Sequence, residues 1–159
     1  VFNSPWANVF GDVRAPWDTI KTSSGAIQKG QDGRTNYFRQ RKFTDLGVEV
    51  PLAKGVEMRL IEAEAKLRSS DLGGAWTAVN LARSSYGMVA SPTPATVAEA
   101  WPLLIYERAA TLWLETRRFY DLRRFLAETG PSHVAFLEAR DKCFPTSLEE
   151  RRANSNIPD

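Results

Sequence analysis

Residues 101–126, WPLLIYERAATLWLETRRFYDLRRFL, decide the fold that this sequence predicts, because they form a long segment with helical signals throughout. At about 100° per residue, apolar side chains gather on one face of this helix, with two charges among them. The apolar members are Trp101, Leu104, Ile105, Leu112, Phe119, Leu122 and Leu126, and the charges are Arg108 and Glu115. A helix of this length extends roughly 40 Å, the width of a small domain.

The opposite side of the same helix is apolar as well. It carries Tyr106, Ala110, Trp113, Leu114 and Phe125. A helix that is apolar nearly all round is normally enclosed by other elements. The sequence therefore predicts a central packing helix in a mainly α fold.

Length, composition and charge limit the number of domains and the classes of partner that this chain can have. A chain of 159 residues that is 43% hydrophobic can build one core, so we expect one domain overall. The net charge of +2 and the absence of a basic run argue against nucleic acid and membrane surfaces as partners. No window is apolar for long enough to predict a transmembrane segment. The start lacks a signal peptide, so we expect export signals to have been removed before residue 1.

The N-terminal part, residues 1–50, is predicted as a loop-rich arm because it is rich in glycine and proline. Residues 36–44 alternate weakly, which predicts a short strand or an extended segment. Exposed aromatic rings in this arm could stack on a sugar, although such rings more often pin loops onto a core. The rings in question are those of Trp6, Trp17, Tyr37 and Phe38.

A helical hairpin is predicted next, at the start of a helical region that covers residues 51–159. Residues 51–68 and 75–86 both show helical periodicity, and Gly87 is expected to end the second helix. Asp71 is expected to cap that helix, and Gly73 with Gly74 to loosen the turn before it. Alanines at the facing positions predict a closely packed, tetratricopeptide-like antiparallel pair.

The long helix should begin near Val97, since Thr96 and Glu99 have the spacing of a capping box. Pro102 then falls beyond the first turn, where it predicts a kink or a fresh helix start. We expect the helix to end before Gly130 and Pro131, with a short helix at 134–142 and an irregular C-terminal arm.

The sequence contains no GxSxG, HExxH, P-loop or dinucleotide-binding motif. His133 is the single histidine, and Cys143 has no second cysteine with which to form a disulfide. Glu107 and Glu115 could in principle form the acid pair of a glycosidase. They lie about 80° apart on the helix and have arginines nearby, which favours ionised carboxylates. We therefore expect no enzyme, no metal and no cofactor, with a glycosidase as a third alternative.

A structural ion-pair network explains the charges of the long helix better. A buried charge is costly when it is alone and tolerable when it is paired, so charges on an apolar helix are expected to pair and to align neighbouring helices. Asp121, for example, has Arg117 four residues before it and Arg124 three after it. Direct ligand contact is the alternative role. The predicted network comprises Glu107, Arg108, Glu115, Arg118, Asp121 and Arg124.

These same residues carry a resemblance to a known family. Glu107-Arg108, Glu115, Arg118 and residues 121–124 resemble the ER…E..R..DLRR pattern near the C-terminus of the SusD/RagB family of nutrient-binding outer-membrane lipoproteins. Further similar segments occur in the same order, at residues 59–65, at residues 80–83 with Gly87, at Phe144-Pro145 with Glu149, and at residues 153–156. The resemblance covers roughly residues 36–157.

Three positions depart from the family pattern. Thr111 stands where a second glutamate is usual, Thr116 where glycine is usual and Ser155 where proline is usual. Helix packing is therefore expected to differ in detail. Family members are also typically several times longer and begin with a lipidated cysteine, so the resemblance is to their C-terminal part.

The resemblance implies a binding protein of the cell envelope, at the outer membrane or in the periplasm. Such proteins capture oligosaccharides or other nutrients and pass them to a TonB-dependent transporter. The matching residues belong to the scaffold, so no ligand-binding residue is carried over. The alternative is a truncated relative that serves as a helical interaction subunit, docked on another membrane complex of the envelope.

Overall fold

The computed structural model describes residues 12–127 and 147–154. Its elements are β1 (Trp17–Thr19), β2 (Phe38–Gln40), α1 (Gly55–Arg68), α2 (Leu72–Ser84), α3 (Val97–Thr111), α4 (Arg117–Ala127) and α5 (Leu148–Ala153). The prediction of a mainly helical fold is confirmed. Several predicted features lie outside the described residues, namely Trp6, the helix end at Gly130 and Pro131, the helix at 134–142, His133, Cys143 and Ser155.

The chain divides into two compact units, residues 1–118 and residues 119–159. The first unit contains the sheet and α1 to α3, and the break between the units falls within α4. The boundary predicted at residue 50 stays a prediction.

The helices α1 and α2 form a hairpin joined by residues 69–71. Small side chains allow the two helices to approach closely, and α3 contributes to the same core. The core consists of Leu60, Ala63, Leu67, Ala75, Trp76, Ala78, Val79, Ala82, Ala100 and Leu104. A tetratricopeptide-like geometry of this pair stays a prediction.

The second helix begins three residues earlier than the sequence predicts. Asp71 caps it by accepting a hydrogen bond of 2.9 Å from the backbone nitrogen of Gly74. Gly73 and Gly74 therefore lie in the first turn of α2, and the expectation that they loosen the connecting turn was wrong. A Cβ at Gly74 would lie 2.1 Å from Asp71 Oδ2, whereas one at Gly73 would meet nothing.

The predicted single helix over residues 101–126 is in fact two helices. The first of them, α3, ends at Thr111, and α4 begins at Arg117. Leu114 and Thr116, in the segment between them, have φ angles of 61° and 63°. This left-handed conformation cannot continue a right-handed helix. The apolar spacing persists across the break, which is why periodicity alone did not reveal it.

The start of α3 follows the predicted capping box. The hydroxyl of Thr96 accepts from the nitrogen of Glu99 at 3.2 Å, and the Glu99 carboxylate accepts from the nitrogen of Ala95 at 3.1 Å. Pro102 lies inside α3, which continues through it. Of the two alternatives expected at Pro102, the fresh helix start was therefore wrong, and the kink stays a prediction.

The N-terminal arm contains a small antiparallel sheet that the sequence predicted only in part. The two strands pair with Trp17 opposite Gln40, Asp18 opposite Arg39 and Thr19 opposite Phe38. Isolated bridges between Lys21 and Ile27, and between Lys29 and Asn36, extend the pairing. Gly25 and Gly33 occupy turns with φ angles of 84° and 66°.

The C-terminal arm is not wholly irregular. Helix α5 spans six residues, and the side chain of Ser147 caps it by accepting from the nitrogen of Glu150. The prediction of an irregular tail was therefore wrong for this segment.

Candidate functional site

Glu107 is the centre of a buried network of charges in the first unit. It lies on α3 with only 5% of its surface exposed. Its Oε2 accepts from Arg14 Nη1 at 2.5 Å, and its Oε1 accepts from Arg83 Nη1 at 2.5 Å. Arg83 belongs to α2 and Arg14 to the segment before β1. One carboxylate therefore connects three parts of the chain.

Arg14 continues the network on its other side. Its Nε and Nη2 donate to Asp12 at 2.9 and 2.7 Å, and its Nη1 also donates to the hydroxyl of Thr111 at 3.2 Å. The hydroxyl of Tyr106 donates to Asp12 at 3.2 Å. Two carboxylates and two guanidinium groups thus alternate, so the charges within this set balance. We call these residues the Glu107 network: Asp12, Arg14, Arg83, Tyr106, Glu107 and Thr111.

The environment of this network shifts the pKa values of three of its members. Burial raises the pKa of Asp12, but the hydrogen bonds and charge of Arg14 outweigh it, so that pKa lies below its ordinary value. Burial lowers the pKa of Arg14, but Asp12 and Glu107 outweigh it, so that pKa is raised. Burial and the charge of Asp12 raise the pKa of Tyr106. Each shift favours the protonation state that the hydrogen bonds require.

A second cluster, the Glu115 cluster, consists of Glu115, Lys42 and Lys54. Both ammonium groups lie 2.7 Å from Glu115 Oε1, and Glu115 is only 3% exposed. Lys42 Nζ also donates to the carbonyl of Trp113 at 2.7 Å, and Lys54 Nζ to that of Thr111 at 3.3 Å. Cations at these carbonyls stabilise the C-terminal end of α3.

The three groups of the Glu115 cluster are not equivalent. Burial lowers the pKa of Lys42, and the nearby charge of Lys54 acts in the same direction, while Glu115 opposes both. The cluster joins the segment before α1 to the end of α3. It is again an arrangement that holds parts of the chain together.

The other residues of the predicted network are located as follows. Arg108 is 5% exposed, and Arg118 is partly buried. Within the second unit, Arg124 Nη2 donates to Asp121 at 3.2 Å, and Asp121 is buried. Arg117 bonds Glu57 of α1 at 3.1 Å, although the sequence placed it in the ladder around Asp121.

The described contacts of Glu115 go to lysines that precede α1, whereas the charges of this helix were expected to align neighbouring helices. Sequence reasoning missed the partners of both buried glutamates because those partners are far away along the chain. Arg14 lies in a segment without periodicity, Lys42 in one that alternates only weakly, and Lys54 at the start of the first predicted helix. No local pattern marks any of them as a partner of a buried glutamate. Arg83 was noted only as part of a family motif. Thr111 replaces an expected acid, yet its hydroxyl still accepts a bond from Arg14.

The chemistry of these clusters is that of a scaffold. A glycosidase needs one carboxyl that is protonated and can reach the substrate. Glu107 and Glu115 each accept charge-assisted hydrogen bonds from two cations instead.

Within residues 12–127 and 147–154, no three acidic, histidine or cysteine side chains are grouped so as to hold a metal ion. Of the helices in the described part of the chain, none is both long and apolar enough to cross a bilayer.

Comparison with known proteins identifies the family to which this chain belongs. The SusD family model matches residues 16–156, which include β1, β2, the helical hairpin, α3 and α4. Neither the curated proteins nor the solved structures gave a match. Because the family match covers most of the sequence, this chain belongs to the SusD family, whose members are nutrient-binding proteins associated with the outer membrane.

Proposed function

We propose that this chain is a nutrient-binding component of an outer-membrane uptake system and that its nutrient is an oligosaccharide. It would deliver that ligand to a TonB-dependent transporter. The observation that carries the proposal is the family match over residues 16–156, which spans most of the chain. The location at the outer membrane or in the periplasm is part of the same proposal.

The buried charges support binding over catalysis. The two glutamates best placed for acid chemistry, Glu107 and Glu115, are each occupied by two cations. A binding scaffold needs rigidity at such positions, because pre-ordered parts reduce the entropy lost when a ligand binds.

Direct binding measurements test this function. The 159-residue chain would be titrated calorimetrically with a panel of neutral and acidic oligosaccharides, peptides and free sugars. We expect saturable binding to at least one oligosaccharide and no release of cleaved products. Binding of peptides alone would contradict the oligosaccharide assignment, and turnover of a saccharide would contradict the assignment as a binding protein.

Partner capture tests the second half of the proposal. A tagged chain expressed in the native envelope should co-purify with a TonB-dependent transporter. Recovery with a different membrane complex would instead favour the alternative, a helical interaction subunit. The intact mass of the natural protein separates the two readings further, because a much larger lipidated protein supports nutrient capture.

One feature favours the interaction subunit as the second candidate. An open groove of about 740 Å³ runs along α1 and α2 and is lined by Met58, Leu81 and neighbouring polar residues. Met58, Ile61 and Leu81 are exposed on these helices. Exposed apolar side chains near one another often mark a protein contact. The double variant Met58→Ser, Leu81→Ser tests this alternative. Loss of capture of a membrane complex, with saccharide binding unchanged, would support the interaction subunit.

A further inference from the structure

The N-terminal sheet carries an excess of positive charge. We define the β-arm as residues 16–43, which hold six cationic and two acidic side chains. Its net charge is therefore +4, whereas the whole chain has +2, so the remaining residues sum to −2. The cations are Lys21, Lys29, Arg34, Arg39, Arg41 and Lys42, and the acids are Asp18 and Asp32.

Strand pairing places several polar groups of the β-arm on one face. Asp18 lies opposite Arg39 in the register of β1 and β2. The nitrogen of Arg41 donates to the carbonyl of Pro16, and the nitrogen of Ile20 donates to the carbonyl of Tyr37, so Arg41 and Tyr37 continue the pairing of β1 with β2. Since side chains alternate along a strand, Tyr37, Arg39 and Arg41 share a face with Asp18. Their spacing makes a row of about 13 Å.

The side chains of this row are accessible. Tyr37 is 44% exposed, and the side chains of Arg39 and Arg41 are 46% and 48% exposed. The opposite face of the sheet carries Trp17 and Phe38. Their rings meet edge to face, with 5.2 Å between the ring centroids. The row therefore presents an aromatic ring and two guanidinium groups to solvent.

The positive charge of this row is only partly compensated. Arg39 bonds both oxygens of Asp18, at 3.2 Å each, while Arg41 reaches the same carboxylate at 3.6 Å. The hydrogen bond and charge of Arg39 hold the pKa of Asp18 below its ordinary value, so Asp18 remains ionised. Elsewhere in the β-arm, Lys29 bonds the neutral amide of Asn36.

We propose that the row Tyr37, Arg39 and Arg41, with Asp18, binds an acidic saccharide through a sugar ring stacked on Tyr37 and a carboxylate held by Arg41, while Arg39 stays paired with Asp18. This rests on the proposed function and names the ligand class. A guanidinium group pairs with a carboxylate through two parallel hydrogen bonds. The carboxylate of Asp18 accepts hydrogen bonds, which suits the hydroxyl groups of a sugar.

An acidic saccharide fits this surface better than other polyanions do. Phosphate backbones and anionic membranes bind through clusters of cations and offer few hydrogen-bond donors to a carboxylate. Asp18 lies in the middle of the row, where a continuous anionic surface would meet its charge, whereas a saccharide can place hydroxyl groups there. A uronic acid chain supplies both hydroxyl donors and carboxylates at short intervals.

Calorimetric titration with an oligogalacturonate, and with a neutral oligogalactoside of equal length, tests the proposal. We expect the acidic ligand to bind at least about tenfold more tightly at low salt, and this preference to shrink as salt is added. Arg41→Ala should remove most of the preference, whereas Tyr37→Ala should weaken both ligands. Arg59→Ala is the matched control, because it removes an exposed, ion-paired guanidinium from α1.

The outcomes separate this inference from the proposed function. Equal affinity for the two ligands, or an unchanged preference in Arg41→Ala, would overturn the inference while saccharide binding itself survived. Failure of every oligosaccharide would overturn both. Tighter binding to duplex DNA or to vesicles of anionic lipid than to the oligogalacturonate would also overturn it. Unchanged melting temperatures of the exposed-residue variants show that the fold is intact.

Discussion

Glu107 shows how a single buried carboxylate can be tolerated and put to structural use. Removing an ion from water costs several kcal/mol, and the cost is recovered only when partners surround the charge. Arg14 and Arg83 donate to its two oxygens separately, so neither oxygen is left without a hydrogen bond. The two arginines come from the N-terminal segment and from α2. The contacts of this one side chain therefore hold the N-terminal segment, α2 and α3 together.

Asp12 makes the stability of the fold depend on pH. Its folded pKa lies below the unfolded value of about 3.9, so its contribution is complete above that value and is lost as pH falls through the folded pKa. Asp12→Asn should therefore be less stable than the parent chain near pH 7, and the difference should shrink below about pH 4. Urea unfolding across this range measures it. A difference that stays constant with pH would show that the ionised carboxylate is not what stabilises Arg14.

Thr116 is strained by its backbone conformation. Its φ of 63° is costly for a β-branched residue. The resemblance described in the sequence leads us to expect glycine at this position. Thr116→Gly should raise the free energy of unfolding by about 1 kcal/mol, or the melting temperature by about 2–4 °C. Thr77→Gly, within α2, is the control and should lower stability by about 0.3 kcal/mol, because glycine is a weaker helix former than threonine. A destabilised Thr116→Gly variant would mean that the threonine side chain matters more than the strain.

The first turn of α2 shows how one element depends on local geometry. Asp71 accepts from Gly74, and only a hydrogen at the Gly74 Cα leaves room for the carboxylate. Gly73 lies one residue earlier in open space. The two adjacent glycines therefore have different roles, although a helix propensity scale treats them alike.

Alanine substitutions at these two glycines should give unequal results. Gly73→Ala should stabilise the chain by roughly 0.5–1 kcal/mol, because alanine favours a helix. Gly74→Ala should gain the same propensity and lose the cap, a loss of about 1 kcal/mol, so its net effect should be near zero. Thermal unfolding of both variants measures the difference. In an Asp71→Ala background the two substitutions should become equal, and a persisting difference would contradict the capping explanation.

Elements with local signals were predictable from the sequence, and those fixed by distant contacts were not. The hairpin and the capping box at Thr96 follow from periodicity and short-range hydrogen bonds. The break between α3 and α4 depends on φ angles at Leu114 and Thr116, two residue types that rarely adopt them. The strand β1 was missed because its three residues are too few for alternation to show, whereas weak alternation marked the segment that contains β2.

At the scale of the whole molecule, the residues that resemble the family and the buried charge clusters share two glutamates, Glu107 and Glu115. The charged motif of α3 and α4 is visible in the sequence, and the family match over residues 16–156 includes it. Arg14 and Lys42 could not be identified from the sequence as the partners of Glu107 and Glu115, because 93 residues separate Arg14 from Glu107. Long-range partners leave no mark on a single sequence unless a motif includes them.

The direct test of the structural role of these charges is a double-mutant cycle on Arg14 and Glu107. The variants Arg14→Met, Glu107→Gln and their combination would be unfolded with urea at neutral pH. Each single substitution should cost about 3 kcal/mol, because it removes one of the two ionic partners of a buried charge. The double variant should be more stable than the sum of the two predicts, by about 1–3 kcal/mol. Additivity of the two effects, within about 0.5 kcal/mol, would contradict the claim that this pair holds the N-terminal segment to α3.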